Sequence, residues 1–195
     1  VRCTFDAQTG IAQLVYAFDD GPELIETVSV PGAPFVLDEA RAAAAEQALR
    51  LLHLIAGVSY YKAAVPPTIA IDSYAIDADT AALLETIYLN GLGEFAYRNG
   101  LNLHGRIVFP VGGASAPAAE AIGAEAPPTT VRALGLSEHA LVAIGGGKDS
   151  LVSIEALRSI GVAQTVTWIG GSQLIKVCAE RTGLPMLNLG RQLAP

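Results

Sequence analysis

The residues that decide the fold of this chain are Ala143-Ile144-Gly145-Gly146-Gly147-Lys148-Asp149-Ser150. An apolar run over 140–144 comes first, and apolar residues at helical spacing follow at Leu151, Ile154 and Leu157. This order predicts a buried strand, a glycine turn and the start of a helix. Such a connection can bind an anion, because glycines let backbone N–H groups approach a phosphate and the first helical turn leaves its own N–H groups unpaired. A glycine-rich connection that binds nothing is the alternative.

The loop does not have the Walker A pattern, which requires a glycine five residues before its Gly-Lys pair and a serine or threonine directly after the lysine. Here the first position holds Val142, and Asp149 follows Lys148. The stretch resembles instead the Ser-Gly-Gly-x-Asp-Ser loop of the PP-loop ATP pyrophosphatases, with Gly145 in place of the first serine. This resemblance implies ATP as a cofactor, with its β,γ-pyrophosphate on the loop and its AMP transferred to an oxygen of the substrate.

Composition excludes several classes of protein. The chain has 195 residues, of which 51% are apolar, so it is long enough for one or two domains with a sizeable core. No run of eighteen apolar residues occurs, so we expect neither a transmembrane helix nor a signal peptide and no membrane partner. Two cysteines lie far apart, Cys3 and Cys178, which predicts free thiols in a reducing cytoplasm.

The net charge of −7 is unevenly distributed. Residues 1–132 carry a charge of −8, whereas residues 133–195 carry +1. An acidic first part repels a phosphate backbone, so a nucleic-acid partner is not expected. The nearly neutral second part is compatible with an ATP site, because such a site needs local donors more than a broad basic field.

The first part of the chain reads as an α+β domain over 1–109, and an Ala-, Pro- and Gly-rich linker follows over 110–132. The domain begins with a β-meander and continues with helices, since alternating and helical apolar spacing follow one another. The expected strands are 3–5, 11–18, 24–30 and 106–109, and the expected helices run from Asp38 to about Ile55, where Gly57 stops the helix, from Asp79 to Leu89, where Asn90-Gly91 caps it, and from Glu94 to Arg98.

Residues 133–195 have a β-loop-α-β-α-β pattern, which predicts the start of a doubly wound parallel-sheet PP-loop domain of the adenine nucleotide alpha hydrolase type. Only three strands fit here, whereas an average sheet has about five or six. We therefore expect that the domain is truncated at the C-terminus, and that the remainder of its own polypeptide or another chain completes the sheet. The expected strands are 140–144, 164–169 and 186–189, and the expected helices are 150–160 and 173–182.

Three segments, 51–63, 89–100 and 145–152, resemble the bacterial UDP-N-acetylmuramoyl-L-alanyl-L-glutamate epimerases. The resemblance implies a cytoplasmic enzyme of peptidoglycan precursor synthesis that depends on ATP and Mg²⁺. Its small-molecule substrate is the UDP-muramoyl dipeptide, whose terminal L-glutamate is inverted to D-glutamate with release of AMP and pyrophosphate. Adenylation of the α-carboxylate makes this chemistry coherent, because the Cα–H of a mixed anhydride is far more acidic than that of a free carboxylate.

The resemblance implies roles for the loop residues. The N–H groups of Gly145, Gly146 and Gly147 and the hydroxyl of Ser150 would hold the leaving pyrophosphate. Lys148 would neutralise charge on it, or would point into solvent.

Two further contacts concern the metal and the adenine. Asp149 lies where a helix cap is expected and, by resemblance, would contact Mg²⁺. Ile169 ends the second strand, where relatives bind adenine through backbone groups, and the preceding Trp168 either stacks there or packs in the core.

The base that removes the α-proton is the hardest residue to assign. Tyr61 and Lys62 follow a predicted helix end, and a buried lysine can act as a base. Glu94 and Arg98 favour an ordinary ion pair, and His53, in an apolar helix, favours a core position. No spacing resembles a zinc site, and the base can equally lie outside this chain.

Two other functions remain open from the sequence. One is another AMP-forming PP-loop ligase, acting in amidation or thiolation, although no glutaminase signature or reactive cysteine neighbourhood is visible. The other is a nucleotide-binding module without turnover, since Gly145 in place of serine removes one phosphate contact.

Overall fold

The computed structural model describes residues 2–19, 21–112 and 133–194. It has six strands and six helices in these ranges. The strands are β1 Arg2–Asp6, β2 Ile11–Tyr16, β3 Leu24–Ser29, β4 Ala140–Ala143, β5 Gln164–Ile169 and β6 Met186–Gln192. The helices are α1 Glu39–Ala56, α2 Val58–Ala64, α3 Ala78–Gly91, α4 Gly93–Arg98, α5 Lys148–Ser159 and α6 Gln173–Arg181. The expected mixed α/β class is confirmed, whereas most of the predicted linker lies outside the described residues.

The six strands form one sheet in the order β1-β2-β3-β6-β5-β4. Strands β4, β5 and β6 are parallel neighbours, as the alternation of strands and helices predicts. Strand β3 of the meander pairs antiparallel with β6, with Val28 opposite Arg191. The sheet is therefore mixed, because the edge of β3 that β2 leaves free pairs with β6. The sequence predicted a meander and a separate parallel sheet instead.

The described residues group into two compact units. One contains the described parts of Val1–Thr4, Leu14–Ile25 and Ala43–Val131, and the other contains those of Phe5–Gln13, Glu26–Ala42 and Arg132–Pro195. Segments 5–13 and 26–42 thus group with the C-terminal part, whereas the predicted division after residue 109 places them in the first domain. Each unit has its own apolar core, one around Leu84 and the other around Ile154 and Val166.

Two helix starts follow local chemistry. Asp38 Oδ1 accepts the N–H of Arg41 at 2.8 Å at the start of α1, and Asp77 Oδ1 accepts the N–H of Thr80 at 2.7 Å at the start of α3. These carboxylates satisfy N–H groups that a helix start leaves unpaired.

One predicted helix end is confirmed and another is wrong. Helix α1 ends at Ala56, directly before Gly57, as expected. Gly57 has helical backbone angles, φ −55° and ψ −19°, and leads directly into α2, a helix that the sequence analysis missed. Asn90 and Gly91 lie inside α3 rather than after it, and Leu92 follows as the cap.

The predicted strand at 106–109 is also wrong. Ile107 and Phe109 are buried and Val108 is exposed, so the alternation that suggested a strand is real. The segment has no strand partner among the described residues, and the N–H of Phe109 donates to Glu85 Oε1 at 3.2 Å instead. An extended segment that lies against helices shows the same period of two as a strand.

His53 lies in the core of the first unit, as its apolar surroundings predict, with no exposed surface. Its Nε2 lies 3.1 Å from the carbonyl oxygen of Val15, and its Nδ1 lies 2.9 Å from the hydroxyl of Tyr74. Because a carbonyl can only accept, Nε2 carries the proton and Nδ1 accepts from Tyr74. Burial lowers the pKa of His53 from 6.5 to about 4, so the ring is neutral near pH 7.

Candidate functional site

The glycine loop lies between the end of β4 and the start of α5, where the sequence predicts it. Ile144 is buried, and its N–H donates to the carbonyl oxygen of Thr167 at 2.8 Å, which fixes the loop to β5. The next three residues, Gly145, Gly146 and Gly147, are exposed. Gly146 has φ +80°, a backbone conformation that residues with a side chain rarely adopt, so this position favours glycine.

The loop also lies close to α6 in the same unit. A Cβ built on Gly146 would come within 3.9 Å of Ile175 Cγ1, a side chain of α6. Helices α5 and α6 follow parallel neighbours β4 and β5, so both helices begin at the same edge of the sheet. Ligands of open α/β sheets bind at this edge.

The start of α5 offers donors to an anion. Gly147 is its N-cap residue, with extended backbone angles and no side chain that could accept a hydrogen bond from the first-turn N–H groups. Asp149 therefore does not cap the helix, contrary to the expectation. Lys148 and Asp149 are both exposed in the first turn, so a cation, a carboxylate and backbone N–H groups lie together.

The Ser150 hydroxyl has a different partner in the structure from the one predicted. Its Oγ donates to the carbonyl oxygen of Gly147 at 3.0 Å, a bond that closes the loop on the first turn of α5. To donate to a phosphate, the hydroxyl would have to rotate and give up its bond to Gly147. The phosphate contact therefore stays a prediction.

The end of β5 supplies the second part of the site. The β4–β5 ladder ends at Ala143 opposite Thr167, whose carbonyl oxygen accepts on the β4 side. Main-chain groups of a strand alternate between its two neighbours, so the N–H and C=O of Ile169, two residues later, also face the β4 side. These groups extend past the last residue of β4, beside the glycine loop. The Ile169 side chain is 55% exposed, whereas Trp168 is buried in the core, so of the two roles weighed for Trp168 the packing role is confirmed.

Sequence reasoning missed Asn188, which holds the end of β5 in place. Its Nδ2 donates to the carbonyl oxygens of Trp168 at 3.3 Å and Gly170 at 2.9 Å. Gly170 has φ +86°, so the chain turns sharply here into the connection to α6. The available signal was an amide between two leucines of an apolar strand, Leu187-Asn188-Leu189.

These groups fit a nucleotide phosphate with its magnesium ion. Backbone N–H groups and a lysine are common phosphate donors, and Mg²⁺ in such sites keeps several waters and takes one or two carboxylates. Asp149 supplies one carboxylate. No cluster of three or more His, Cys, Asp or Glu residues that could hold a metal occurs in the described ranges.

Tyr61 and Lys62, the candidate bases, lie on α2 in the other compact unit. Tyr61 is buried, its hydroxyl has no hydrogen-bond partner within the described residues, and its pKa is raised by burial, with Arg106 acting in the opposite direction. Lys62 is exposed, and its Nζ lies 5.3 Å from the ring centre of Phe95. The expected burial of Lys62 is therefore wrong, and its role as a base stays a prediction.

The remaining candidates have structural roles. Arg98 Nε donates to Glu94 Oε1 at 2.8 Å in an exposed ion pair, as expected for residues four apart on a helix. Cys3 and Cys178 are free thiols, and Cys178 packs against the core of its unit. Within the part of the chain that is described, no helix has the length and apolar character needed to cross a membrane.

Comparison with known proteins identifies relatives over the whole chain. A model of the family described as the MurL N-terminal domain matches residues 1–195. A protein of Xanthomonas oryzae pv. oryzae named UDP-N-acetyl-alpha-D-muramoyl-L-alanyl-L-glutamate epimerase is 71% identical over 195 residues, which are 100% of this chain and 41% of that protein. Proteins with the same name from Salinispora tropica and Micromonospora sp. are 33% and 34% identical over 98% of this chain.

The chain spans 41%, 40% and 41% of the lengths of these three relatives. No solved structure shows significant similarity to it.

Proposed function

Since the chain belongs to the MurL N-terminal domain family, we propose that the protein that carries it is an ATP-dependent epimerase. Its substrate would be UDP-N-acetyl-α-D-muramoyl-L-alanyl-L-glutamate, and its reaction the inversion of the terminal L-glutamate during peptidoglycan precursor synthesis. The observation that carries this proposal is the 71% identity to an epimerase of that name over every residue of the chain. The activity is proposed for the whole protein, because the chain spans only 41% of that relative.

Within this protein, we propose that the chain holds the phosphates of ATP. Support comes from the exposed glycine loop, the N-terminus of α5 without a side-chain cap, and the main-chain groups of Ile169 at the same sheet edge. ATP would supply activation of the glutamate α-carboxylate, with AMP and pyrophosphate as products, so that the α-proton becomes acidic enough to remove.

The residues of the loop would then bind and orient. The N–H groups of the glycines and of the first turn of α5 would hold the pyrophosphate oxygens, and Lys148 would offset their charge. Asp149 would contact Mg²⁺, and Ile169 would hold the adenine through its main chain. We also propose that further strands continue the sheet beyond β4, which ends the order of described strands.

The test of the function follows the α-carbon directly. The full-length protein is incubated with the UDP-muramoyl dipeptide, Mg²⁺ and D₂O, with and without ATP. Deuterium at the glutamate α-carbon together with D-glutamate, only when ATP is present, is the expected result. Release of AMP without exchange at the α-carbon would instead identify a ligase, and binding of ATP without AMP release would identify a module without turnover.

The test of the loop uses substitutions on α5. Asp149→Ala and Ser150→Ala should each reduce pyrophosphate release about 10-fold to 100-fold, the range for a hydrogen bond to a charged group. Ser159→Ala is the matched control, because its Oγ donates to Ala156 at the other end of the same helix. Full pyrophosphate release by both loop variants, with circular dichroism unchanged, would show that the loop assignment is wrong.

A further inference from the structure

A cavity of about 580 Å³ lies within the first compact unit, between the end of β2, helix α2 and the segment that follows it. It is separate from the glycine loop, whose residues belong to the other unit. Most of its large side chains are aromatic. They are Tyr16, Phe18, Tyr60, Tyr61, Tyr88 and Phe109. A cavity of this size and composition is typical of a small-molecule site.

Tyr61 lines the cavity, and its hydroxyl has no hydrogen-bond partner in the described part of the chain. The hydroxyl of Tyr16 donates to the carbonyl oxygen of His53 at 2.8 Å, and that of Tyr88 donates to Leu54 at 2.6 Å. The ring of Tyr61 packs edge-on against that of Tyr88, with ring centres 5.7 Å apart, and its hydroxyl makes no such bond, although Tyr61 is only 4% exposed. A buried polar group left unsatisfied costs about 1–3 kcal/mol, so an acceptor supplied by a ligand would be stabilising here.

The backbone of Gly57 forms another part of the wall. A Cβ on Gly57 would lie 2.8 Å from the hydroxyl oxygen of Tyr88 and 3.2 Å from both the Leu54 carbonyl oxygen and Tyr16 Cε1. Its φ of −55° is open to any residue, so space and not backbone conformation demands glycine here. The cavity therefore depends on a position where two tyrosines close in on the main chain.

The charges at the cavity select against anions. Asp19 and Asp72 line it, and its described lining residues include no lysine, arginine or histidine. A phosphate or a carboxylate beside Asp19 and Asp72 would meet like charge from the wall, and Arg106, the guanidinium that acts on Tyr61, is not among the described lining residues. Aromatic rings, the hydroxyl of Tyr61 and carboxylate acceptors suit an uncharged ring with carbonyl and hydroxyl groups.

We propose that this cavity binds a pyrimidine nucleoside, the uridine end of the UDP-linked substrate. The identification of uridine rests on the proposed function, since that substrate carries it. The base would lie against the tyrosine rings with a carbonyl oxygen accepting from Tyr61, and the ribose hydroxyls would donate to the carboxylates. Uridine is the terminal group and carries a single anionic attachment, whereas the muramoyl ring carries charged groups on both sides and fits a carboxylate-lined cavity less well.

Direct binding of uridine to the full-length protein tests this proposal without any turnover. Saturation-transfer NMR should show uridine bound, and Tyr61→Phe should weaken the binding about 5-fold, the loss of one hydrogen bond of about 1 kcal/mol. Ala64→Phe, which fills the cavity from the end of α2, should abolish it. Tyr97→Phe is the matched control, because Tyr97 is 88% exposed and does not line the cavity. Binding of N-acetylglucosamine in preference to uridine, or uridine binding that Ala64→Phe leaves unchanged, would overturn the proposal.

Kinetics separate this proposal from a catalytic role of Tyr61 and from failure of the proposed function. If Tyr61 holds the nucleoside, Tyr61→Phe raises KM for the UDP-linked substrate and leaves kcat unchanged, because the contact is remote from the reacting carbon. A loss of kcat with unchanged KM would assign Tyr61 to proton transfer and overturn the proposal. Uridine binding in a protein that shows no epimerisation would support the cavity assignment and contradict the function, whereas epimerisation without uridine binding would do the reverse.

Discussion

Between pH 7 and pH 5, acidification should weaken the first compact unit through His53, by an amount that follows from the burial of its ring. The ring has no exposed surface, and burial lowers its pKa from 6.5 to about 4. The unfolded chain therefore binds more protons than the folded chain between these pH values, so stability is complete above pH 6.5 and is lost as the pH falls towards 4. At about 1.36 kcal/mol per pKa unit the full loss is about 3 kcal/mol, of which about 2 kcal/mol is lost between pH 7 and pH 5.

Hydrogen–deuterium exchange of peptides from α1 measures this loss locally, after correction for the pH dependence of intrinsic exchange. His53→Gln keeps a donor towards Val15 but has no titratable group, so it should be less stable at pH 7 and should lack the additional loss towards pH 5. His104→Gln is the control, because His104 is exposed. If wild type and His53→Gln lose the same opening free energy between pH 7 and pH 5, the reasoning about His53 is refuted.

Two substitutions test other contacts of the fold. Arg191→Met should cost about 3 kcal/mol in urea unfolding, because it leaves Glu26, which has no exposed surface, without the guanidinium that now donates to both of its oxygens. Arg2→Met should cost less than about 1 kcal/mol, since its partner carboxylate is exposed, and equal losses would contradict the argument. Gly57→Ala should lower the melting temperature through a loss of about 1–3 kcal/mol from overpacking. Gly91→Ala is the control: a Cβ there meets nothing within 4 Å, so it should raise stability by about 0.5–1 kcal/mol. An unchanged melting temperature for Gly57→Ala would mean that the neighbours of Gly57 move aside and that the overpacking argument is wrong.

The parallel part of the sheet could be predicted from sequence because its signals are local. Strand β5 has the predicted bounds, Gln164 to Ile169, since an apolar run ends at a glycine. The β3–β6 pairing could not be predicted, because it joins segments far apart in the chain. Its one clue is the charge pair of Glu26 and Arg191, and many other acidic and basic residues could have been matched in the same way.

Residue types at the candidate site could be predicted better than their orientations. The glycine loop lies where the pattern indicates, but the Ser150 hydroxyl turns to a loop carbonyl, a choice that spacing does not reveal. Tyr61 and Lys62 were expected to act together beyond a helix end. Once they lie on α2, helical geometry turns adjacent side chains about 100° apart, so only Tyr61 reaches the core.

The β3–β6 pairing has a consequence for how the chain is made on the ribosome. Glu26 and Arg191 are 165 residues apart. At a translation rate of about 5–20 residues per second, the edge of β3 therefore stays unpaired for roughly 10–30 s before its partner strand has been synthesised. An unpaired edge is a template for association with other nascent chains. A carboxylate on that edge opposes such association, because burial against another chain without a guanidinium would leave its charge uncompensated. The same Glu26 that joins the finished sheet thus protects the unfinished one until Arg191 has been synthesised.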